Sequence, residues 1–201
     1  MTGKVLQHRT SLARWFWDVN AVQAPAPMAG WLTDRASLTA KLVVRSEQFR
    51  VQRLSQRQSL CLADEYAVIG LARRQRVHER QVLLRCDGRP MVYAHTVLPL
   101  TATASEWPLF HSLGEKSLGT TLFNDPLVQR GTLAYARLRG NHPLIRRMQA
   151  LALPLQDQQA WFARRSVFRR KGGCLLVTEV FLPQIAELAQ QLAALPAAAP
   201  R

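Results

Sequence analysis

The sequence predicts a single α+β domain built on antiparallel β-hairpins. A chain of 201 residues is long enough to bury a substantial hydrophobic core in one domain. Two apolar-rich segments, 80–99 and 161–183, each contain a glycine-bearing turn signal near the middle, which is typical of β-hairpins. Shorter segments with helical spacing lie before, between and after them. Hairpins interspersed with short helices predict the α+β class.

The N-terminal part predicts a leader and one short helix. Residues 1–29 include the run Ala-Pro-Ala-Pro, and proline disfavours a helix because it fixes φ and has no amide proton. Residues 31–42 carry apolar side chains at helical spacing, and Asp34 or Ser37 could cap a helix there. We therefore expect one helix in this segment.

The next segment predicts strands and the first hairpin. From Phe49 the apolar residues alternate with polar ones, which predicts one or two strands around the polar residues 55–59. The pair Asp87-Gly88 separates two apolar runs and predicts a tight turn. The strands of this hairpin are expected over residues 81–86 and 91–98.

Arg80 lies at the start of the first hairpin and has apolar neighbours. Because strand side chains alternate between the two faces of a sheet, Arg80 shares a face with Val82 and Leu84. An unpaired buried charge costs several kcal/mol, so this guanidinium needs an anionic partner. The alternative is that it reaches solvent along its aliphatic stem.

The segment between the hairpins contains a candidate anion-binding turn. Residues 113–123 read LGEKSLGTTLF, in which Ser117 or Thr120 could cap a short helix. The first backbone N–H groups of a helix have no internal acceptor and favour anions. An ordinary loop is the alternative. Further along, residues 132–138 predict a strand and residues 141–156 a short helix or an irregular link.

The second hairpin carries a carboxylate in an apolar strand. Its turn is expected at Lys171-Gly172-Gly173, and the strand that follows is apolar on both faces except for Glu179. Superposing the two hairpins on their turns pairs Arg80 with Arg164 and His95 with Glu179. This pairing predicts two hairpins related by pseudo-symmetry, with polar groups in equivalent places. Residues 184–201 predict a helix followed by a disordered Pro/Ala end, as an appendage to the domain.

The composition indicates an anionic partner. Lys plus Arg outnumber Asp plus Glu by 27 to 13, which gives a formal net charge of +14. Nucleic acid, an anionic membrane surface or a small anionic substrate would each fit this charge. No helix-turn-helix, zinc-finger or RNP pattern is evident, so we expect no nucleic-acid partner. The three cysteines form neither a CxxC nor a Cys/His ligand pattern, so we expect free thiols, no metal site and a cytoplasmic protein without a membrane span.

Three segments together resemble the chorismate pyruvate-lyase family, bacterial enzymes that make 4-hydroxybenzoate for ubiquinone. They are RQVLLRCDGRPMVYAHTVLP, LGEKSLGTTLF and ARRSVFRRKGGCLLVTEVFLP, in this order. By that resemblance the ligand-contacting arginine falls on Arg80, a backbone contact on Leu118 and the carboxylate on Glu179. A second backbone contact falls on Leu38, where the family has methionine.

The resemblance also implies a fold, an activity and a domain organisation. The implied fold is a single α+β domain with an antiparallel sheet of about six strands and helices over a buried ligand cavity. The implied domain covers residues 30–183, with a leader at 1–29 and a helical and disordered tail at 184–201. The implied enzyme is a carbon–oxygen lyase that needs no cofactor and no metal. We expect a cytoplasmic monomer whose partners are chorismate and 4-hydroxybenzoate, with weak association with anionic membranes.

The expected roles follow from the substrate's chemistry. Arg80 is expected to hold the ring carboxylate by a charge-assisted, bidentate contact, with backbone N–H groups of Leu118 and Leu38 assisting. Glu179, favoured in its protonated form by burial, is expected to bind the ring hydroxyl and either to transfer a proton or only to orient the ring. Two alternatives remain open: a non-catalytic ligand-sensing domain of a related fold, and a lyase that produces 3-hydroxybenzoate.

Overall fold

A computed structural model describes residues 12–102, 104–151, 153 and 160–193 of the chain. It shows a seven-stranded antiparallel sheet in the order β1-β2-β3-β7-β6-β4, with β5 also pairing with β6. The strands are β1 Phe49–Leu60, β2 Arg76–Cys86, β3 Arg89–Pro99, β4 Val128–Arg130, β5 Ala134–Leu138, β6 Trp161–Arg170 and β7 Gly173–Phe181. The helices are α1 Ala26–Thr33, α2 Leu38–Val43, α3 Leu118–Asn124, α4 Pro143–Gln149 and α5 Gln184–Ala193. The α+β class and the single antiparallel sheet are therefore confirmed.

Both predicted hairpins are present and lie side by side. Cys86 pairs with Arg89 across the first turn, and both turn residues have positive φ, 52° at Asp87 and 76° at Gly88. Positive φ at both central positions is the condition for the type I′ turn that Asp-Gly favours. In the second hairpin Arg170 pairs with Gly173, so the third residue of the predicted turn begins β7. β3 pairs with β7, which joins the two hairpins into one sheet.

The first strand and the N-terminal helix differ from the prediction. β1 is one continuous strand with a bulge between Arg53 and Ser55, because polar residues are tolerated at the exposed edge of a sheet. The segment 31–42 forms the end of α1 and most of α2, separated at Asp34, where the backbone is extended. α1 begins at Ala26 despite Pro27, since a proline in the first turn removes no helical hydrogen bond.

The remaining predicted elements are largely confirmed. β5 lies within the predicted strand 132–138. α4 begins at Pro143, and the His142 side chain caps it by accepting a hydrogen bond from the backbone N–H of Leu144. α4 ends at Gln149. The segment predicted as a helix or an irregular link was 141–156, and its last residues, 154–156, lie outside the described residues.

Hydrophobic cores lie on both faces of the sheet. α1, α2 and α5 pack on one face, where Trp31, Leu42 and Ile185 are buried with residues of β2 and β3. α4 packs on the other, where Ile145 and Met148 are buried. The helix predicted for the tail is thus α5, and its Ile185 side chain is 0% exposed, so its first turn is part of the core. The expected disorder at 194–201 lies outside the described residues.

Candidate active site

A cavity lies between the sheet and the short helices α2 and α3. Its floor is formed by side chains of β2, β3, β6 and β7 that point to the same face of the sheet. The four residues singled out in the sequence, Arg80, Glu179, Leu38 and Leu118, all line it. They come from two hairpins and two helices that are far apart in the sequence, and the sheet pairing brings them together.

Arg80 is a buried cation held by the loop that precedes α3. Its side chain is 2% exposed, so it does not reach solvent along its stem. Nη2 donates to the carbonyl oxygens of Gly114 at 3.1 Å and Lys116 at 2.9 Å. Nε has no hydrogen-bond partner among the described residues. Burial, together with the nearby charge of Arg53, lowers the pKa of Arg80 to about 10, which leaves it positively charged at neutral pH.

The contacts of Nη2 limit how Arg80 could bind a carboxylate. A terminal guanidinium nitrogen has two N–H donors, and the two carbonyls of Gly114 and Lys116 accept from Nη2. The unpartnered Nε–H is therefore one donor that a ligand could use. A two-point contact through Nε and Nη2 requires one of the loop carbonyls to give up its hydrogen bond.

Glu179 is paired with a second arginine that sequence reasoning did not single out as a site residue. Arg164 lies opposite Glu179 in the β6–β7 register, and its Nε donates to Oε2 of Glu179 at 2.5 Å. Arg164 is 0% exposed, whereas the Glu179 side chain is 14% exposed. This ion pair fixes one carboxylate oxygen of Glu179 against the neighbouring strand, and the protonated form of Glu179 stays a prediction.

Arg164 also joins this carboxylate to the end of α1. Its Nη1 donates to the carbonyl oxygens of Trp31 at 3.0 Å, Leu32 at 3.3 Å and Asp34 at 2.6 Å. The last carbonyls of a helix have no internal donor and need partners of this kind. The superposition of the two hairpins, which paired Arg164 with Arg80, was the sequence signal that could have identified it.

The pseudo-symmetry predicted for the hairpins holds for the arginines and fails for His95. Arg80 and Arg164 both line the cavity. A bulge between Leu84 and Arg85 shifts the first hairpin by one residue, and a one-residue shift moves a side chain to the other face. His95 pairs with Gln81 and lies on the opposite face, where its Nε2 is 2.9 Å from a carboxylate oxygen of Glu65.

Leu38 and Leu118 occupy equivalent positions on the two short helices. Each is the first residue of its helix and follows a serine cap. The Ser37 side chain accepts from the backbone N–H of Ala40, and that of Ser117 from Thr120, so the predicted Ser117 cap is confirmed. Because the first N–H groups of a helix lack internal acceptors, both helix starts bring backbone donors to the cavity wall.

α2 and α3 contact each other over the cavity. The hydroxyl oxygens of Thr39 and Ser117 are 2.5 Å apart and share a hydrogen bond. Gly119 permits this approach, since a Cβ atom there would lie 2.7 Å from Oγ1 of Thr39. No sequence signal indicated this contact, because Thr39 and Ser117 are 78 positions apart, with β1 and the whole first hairpin between them.

Arg130 is a third arginine on the cavity wall, half-buried, and was also missed. It lies at the end of β4, where it pairs with Phe168. Its guanidinium carbon is 5.4 Å from the ring centre of Phe123 and 5.5 Å from that of Phe168, within the range of cation–π contact. Arg130 lies in a segment between two loops, where the sequence shows no periodicity from which its role could be predicted.

The part of the chain that the structure describes contains neither a cluster of metal-ligating side chains nor a membrane-spanning helix. No group of three or more His, Cys, Asp or Glu side chains there could hold a metal ion. No helix there is long and apolar enough to cross a membrane.

Comparison with protein families and curated proteins gives one consistent result. The family model described as chorismate lyase matches residues 11–191. A probable chorismate pyruvate-lyase of Cupriavidus metallidurans is 45% identical over 161 residues, which is 80% of this chain and 75% of the relative. One from Nitrosomonas europaea is 40% identical over 173 residues, which is 86% of this chain and 96% of the relative.

Comparison with solved structures shows the fold alone. The effector domain of PhnF from Mycobacterium smegmatis is 15% identical, with a TM-score of 0.50 over 74% of this chain and 90% of that one. The C-terminal domain of a histidine utilization repressor from Pseudomonas syringae is 7% identical, with a TM-score of 0.51 over 68% and 93%. The expected likeness to ligand-sensing domains of regulators is therefore confirmed for the fold.

Proposed function

The chain belongs to the chorismate lyase family, and we propose that it eliminates pyruvate from chorismate to give 4-hydroxybenzoate for ubiquinone biosynthesis. Chorismate carries a ring carboxylate, a ring hydroxyl and an enolpyruvyl ether that ends in a second carboxylate. The ether C–O bond on the ring side breaks, and the hydrogen leaves the ring carbon that bears the hydroxyl. That hydrogen ends in the methyl group of pyruvate, and the ring becomes aromatic.

Arg80 is the proposed anchor for the ring carboxylate. It is a buried cation with an unpartnered Nε–H on the cavity wall, and hydrogen bonds between ionised groups are about twice as strong as neutral ones. The first N–H groups of α2 and α3, at Leu38 and Leu118, supply further donors. Fixing the carboxylate fixes the opposite end of the ring, where the chemistry occurs.

Glu179 is the proposed partner of the ring hydroxyl. Arg164 donates to one of its carboxylate oxygens, Oε2, and carboxylate oxygens accept hydrogen bonds. It can therefore orient the hydroxyl as a donor, or receive a proton as a base. Because aromatisation supplies the driving force, holding and orienting the dianion is the main task of the protein.

The observation that carries this proposal is the convergence of Arg80 and Glu179 on one cavity within a chain that matches the family over most of its length. The test is incubation of the purified protein with chorismate and no added cofactor, followed by chromatography and a coupled pyruvate assay. We expect 4-hydroxybenzoate and pyruvate in equal amounts. A 3-hydroxybenzoate product would contradict the proposed product.

A ligand-sensing role is the second candidate, favoured by the structural likeness to the PhnF effector domain. A fold of this kind can host binding without reaction. Tight binding of 4-hydroxybenzoate together with unchanged chorismate after prolonged incubation would favour sensing over catalysis. The lyase is the better-supported function because the identity to curated lyases is far higher than the identity to the regulators.

The remaining proposals concern the surroundings of the enzyme. We propose a cytoplasmic monomer whose formal charge of +14 attracts the dianionic substrate and permits weak association with anionic membranes. We propose no role in nucleic-acid binding.

A further inference from the structure

The cavity contains more positive charge than one carboxylate would neutralise. Three arginines, Arg80, Arg130 and Arg164, line it, and Glu179 is the one acidic residue among its described lining residues. The contact between Arg164 and Glu179 pairs two of these charges. Arg80 and Arg130 remain as two cations without a carboxylate partner in the lining.

Arg130 resembles Arg80 in its unused donor, although Arg130 is half-buried and Arg80 is buried. Its Nη1 donates to the backbone carbonyl of Arg35 at 2.9 Å, and its Nε has no hydrogen-bond partner within the described part of the chain. Burial and the charge of Arg164 lower the pKa of Arg130 to about 10, so it is charged at neutral pH. A half-buried, partly unsatisfied cation is costly unless an anion completes it.

Arg130 is also held in a defined orientation. Its guanidinium carbon lies beside the pair formed by Phe123 and Phe168, 5.4 and 5.5 Å from ring centroids that are themselves 6.2 Å apart. These two ring contacts, with the hydrogen bond to Arg35, restrict the side-chain rotamers. Because its side chain is already restricted, Arg130 loses less conformational entropy on binding an anion than a mobile arginine would. It therefore selects anions that lie in one defined position.

We infer that Arg130 binds the second carboxylate of a dianionic substrate, the one on the enolpyruvyl group, while Arg80 binds the ring carboxylate. This assignment rests on the proposed function. Arg130 thereby makes the cavity selective for a dicarboxylate over the monocarboxylate product, which keeps only the ring carboxylate. After the ether bond breaks, the same guanidinium holds the carboxylate of the departing pyruvate.

The test compares a ligand that has two carboxylates with one that has a single carboxylate. We would measure kcat/KM for chorismate and Kd for 4-hydroxybenzoate in the wild type and in Arg130→Gln. Loss of a charged hydrogen bond is expected to lower kcat/KM for chorismate about 10- to 100-fold. The Kd of 4-hydroxybenzoate is expected to change less than about threefold, since the product makes no contact with Arg130.

Three further variants serve as controls. Arg80→Gln is expected to weaken both ligands. Arg57→Gln removes an exposed positive charge on β1, outside the cavity lining, and is expected to change either constant less than about threefold, because exposed charges are screened. Arg130→Lys retains the charge and much of the stem, and should give a smaller loss that is again confined to chorismate. The thermal unfolding midpoint of Arg130→Gln shows whether that variant folds. If it does not, Arg130→Lys provides the test.

Two results would overturn the inference. One is an equal loss in kcat/KM for chorismate and in affinity for 4-hydroxybenzoate in both Arg130 variants. That result would mean that Arg130 contacts the ring carboxylate or acts only through the positive electrostatic field of the cavity. The other is unchanged kcat/KM in both. If the wild type does not convert chorismate, the proposed function fails, and the same comparison by calorimetric binding of chorismate still decides the role of Arg130.

Discussion

At the scale of single residues, the site depends on how its charges are paired. Arg164 neutralises Glu179 and is itself fully buried, with its other donors on the end of α1. Arg80 is buried to a similar degree but has carbonyl oxygens as its partners. This difference is the basis for the proposal that Arg164 positions a carboxylate whereas Arg80 binds an anionic ligand.

Replacement of Glu179 tests which task the carboxylate performs. Glu179→Gln keeps the shape and can still orient a hydroxyl, but it cannot take a proton. We expect kcat for chorismate to fall about 100-fold, with the Kd of 4-hydroxybenzoate changed only a few-fold. Steady-state kinetics and calorimetry give the two values. Glu187→Gln, at an exposed position on α5, is the matched control, and near-normal turnover by Glu179→Gln would leave only the orienting role.

At the scale of elements, the local signals predicted the hairpins and did not predict their surroundings. Asp87-Gly88 specifies its turn through local backbone preferences, since both residues have positive φ. The break between α1 and α2 coincides instead with carbonyls that accept from Arg164, a residue far along the chain. The bulge after Leu84 likewise depends on strand pairing. Such long-range contacts leave no periodicity in the sequence.

The contact between α2 and α3 over the cavity gives a prediction at this scale. In Gly119→Ala the new methyl group would lie 2.7 Å from Oγ1 of Thr39 and force the two helices apart. Overpacking of this kind costs about 1–3 kcal/mol. We expect 4-hydroxybenzoate to dissociate about tenfold faster, measured by stopped-flow fluorescence. Gly140→Ala is the control, because nothing lies within 4 Å of a Cβ there, and equal dissociation rates in the two variants would contradict the role of this contact.

At the scale of the whole molecule, the fold alone does not specify the function. The sheet and its covering helices resemble the effector domain of a regulator at 15% identity, whereas the lyase relatives share 40–45% identity. The family resemblance located four cavity residues in the sequence, Arg80, Glu179, Leu38 and Leu118. Arg130, Arg164 and Thr39 were missed because their importance comes from partners on other elements.

The central claim is that one cavity holds a para-hydroxybenzoate ring between Arg80 and Glu179. A crystal structure with 4-hydroxybenzoate bound tests it most directly. We predict the ligand carboxylate within hydrogen-bond distance of Arg80 Nε and its hydroxyl at the carboxylate of Glu179, with Arg130 free of the ligand. A ring bound outside this cavity, or reversed so that its carboxylate contacts Arg130, would contradict the claim.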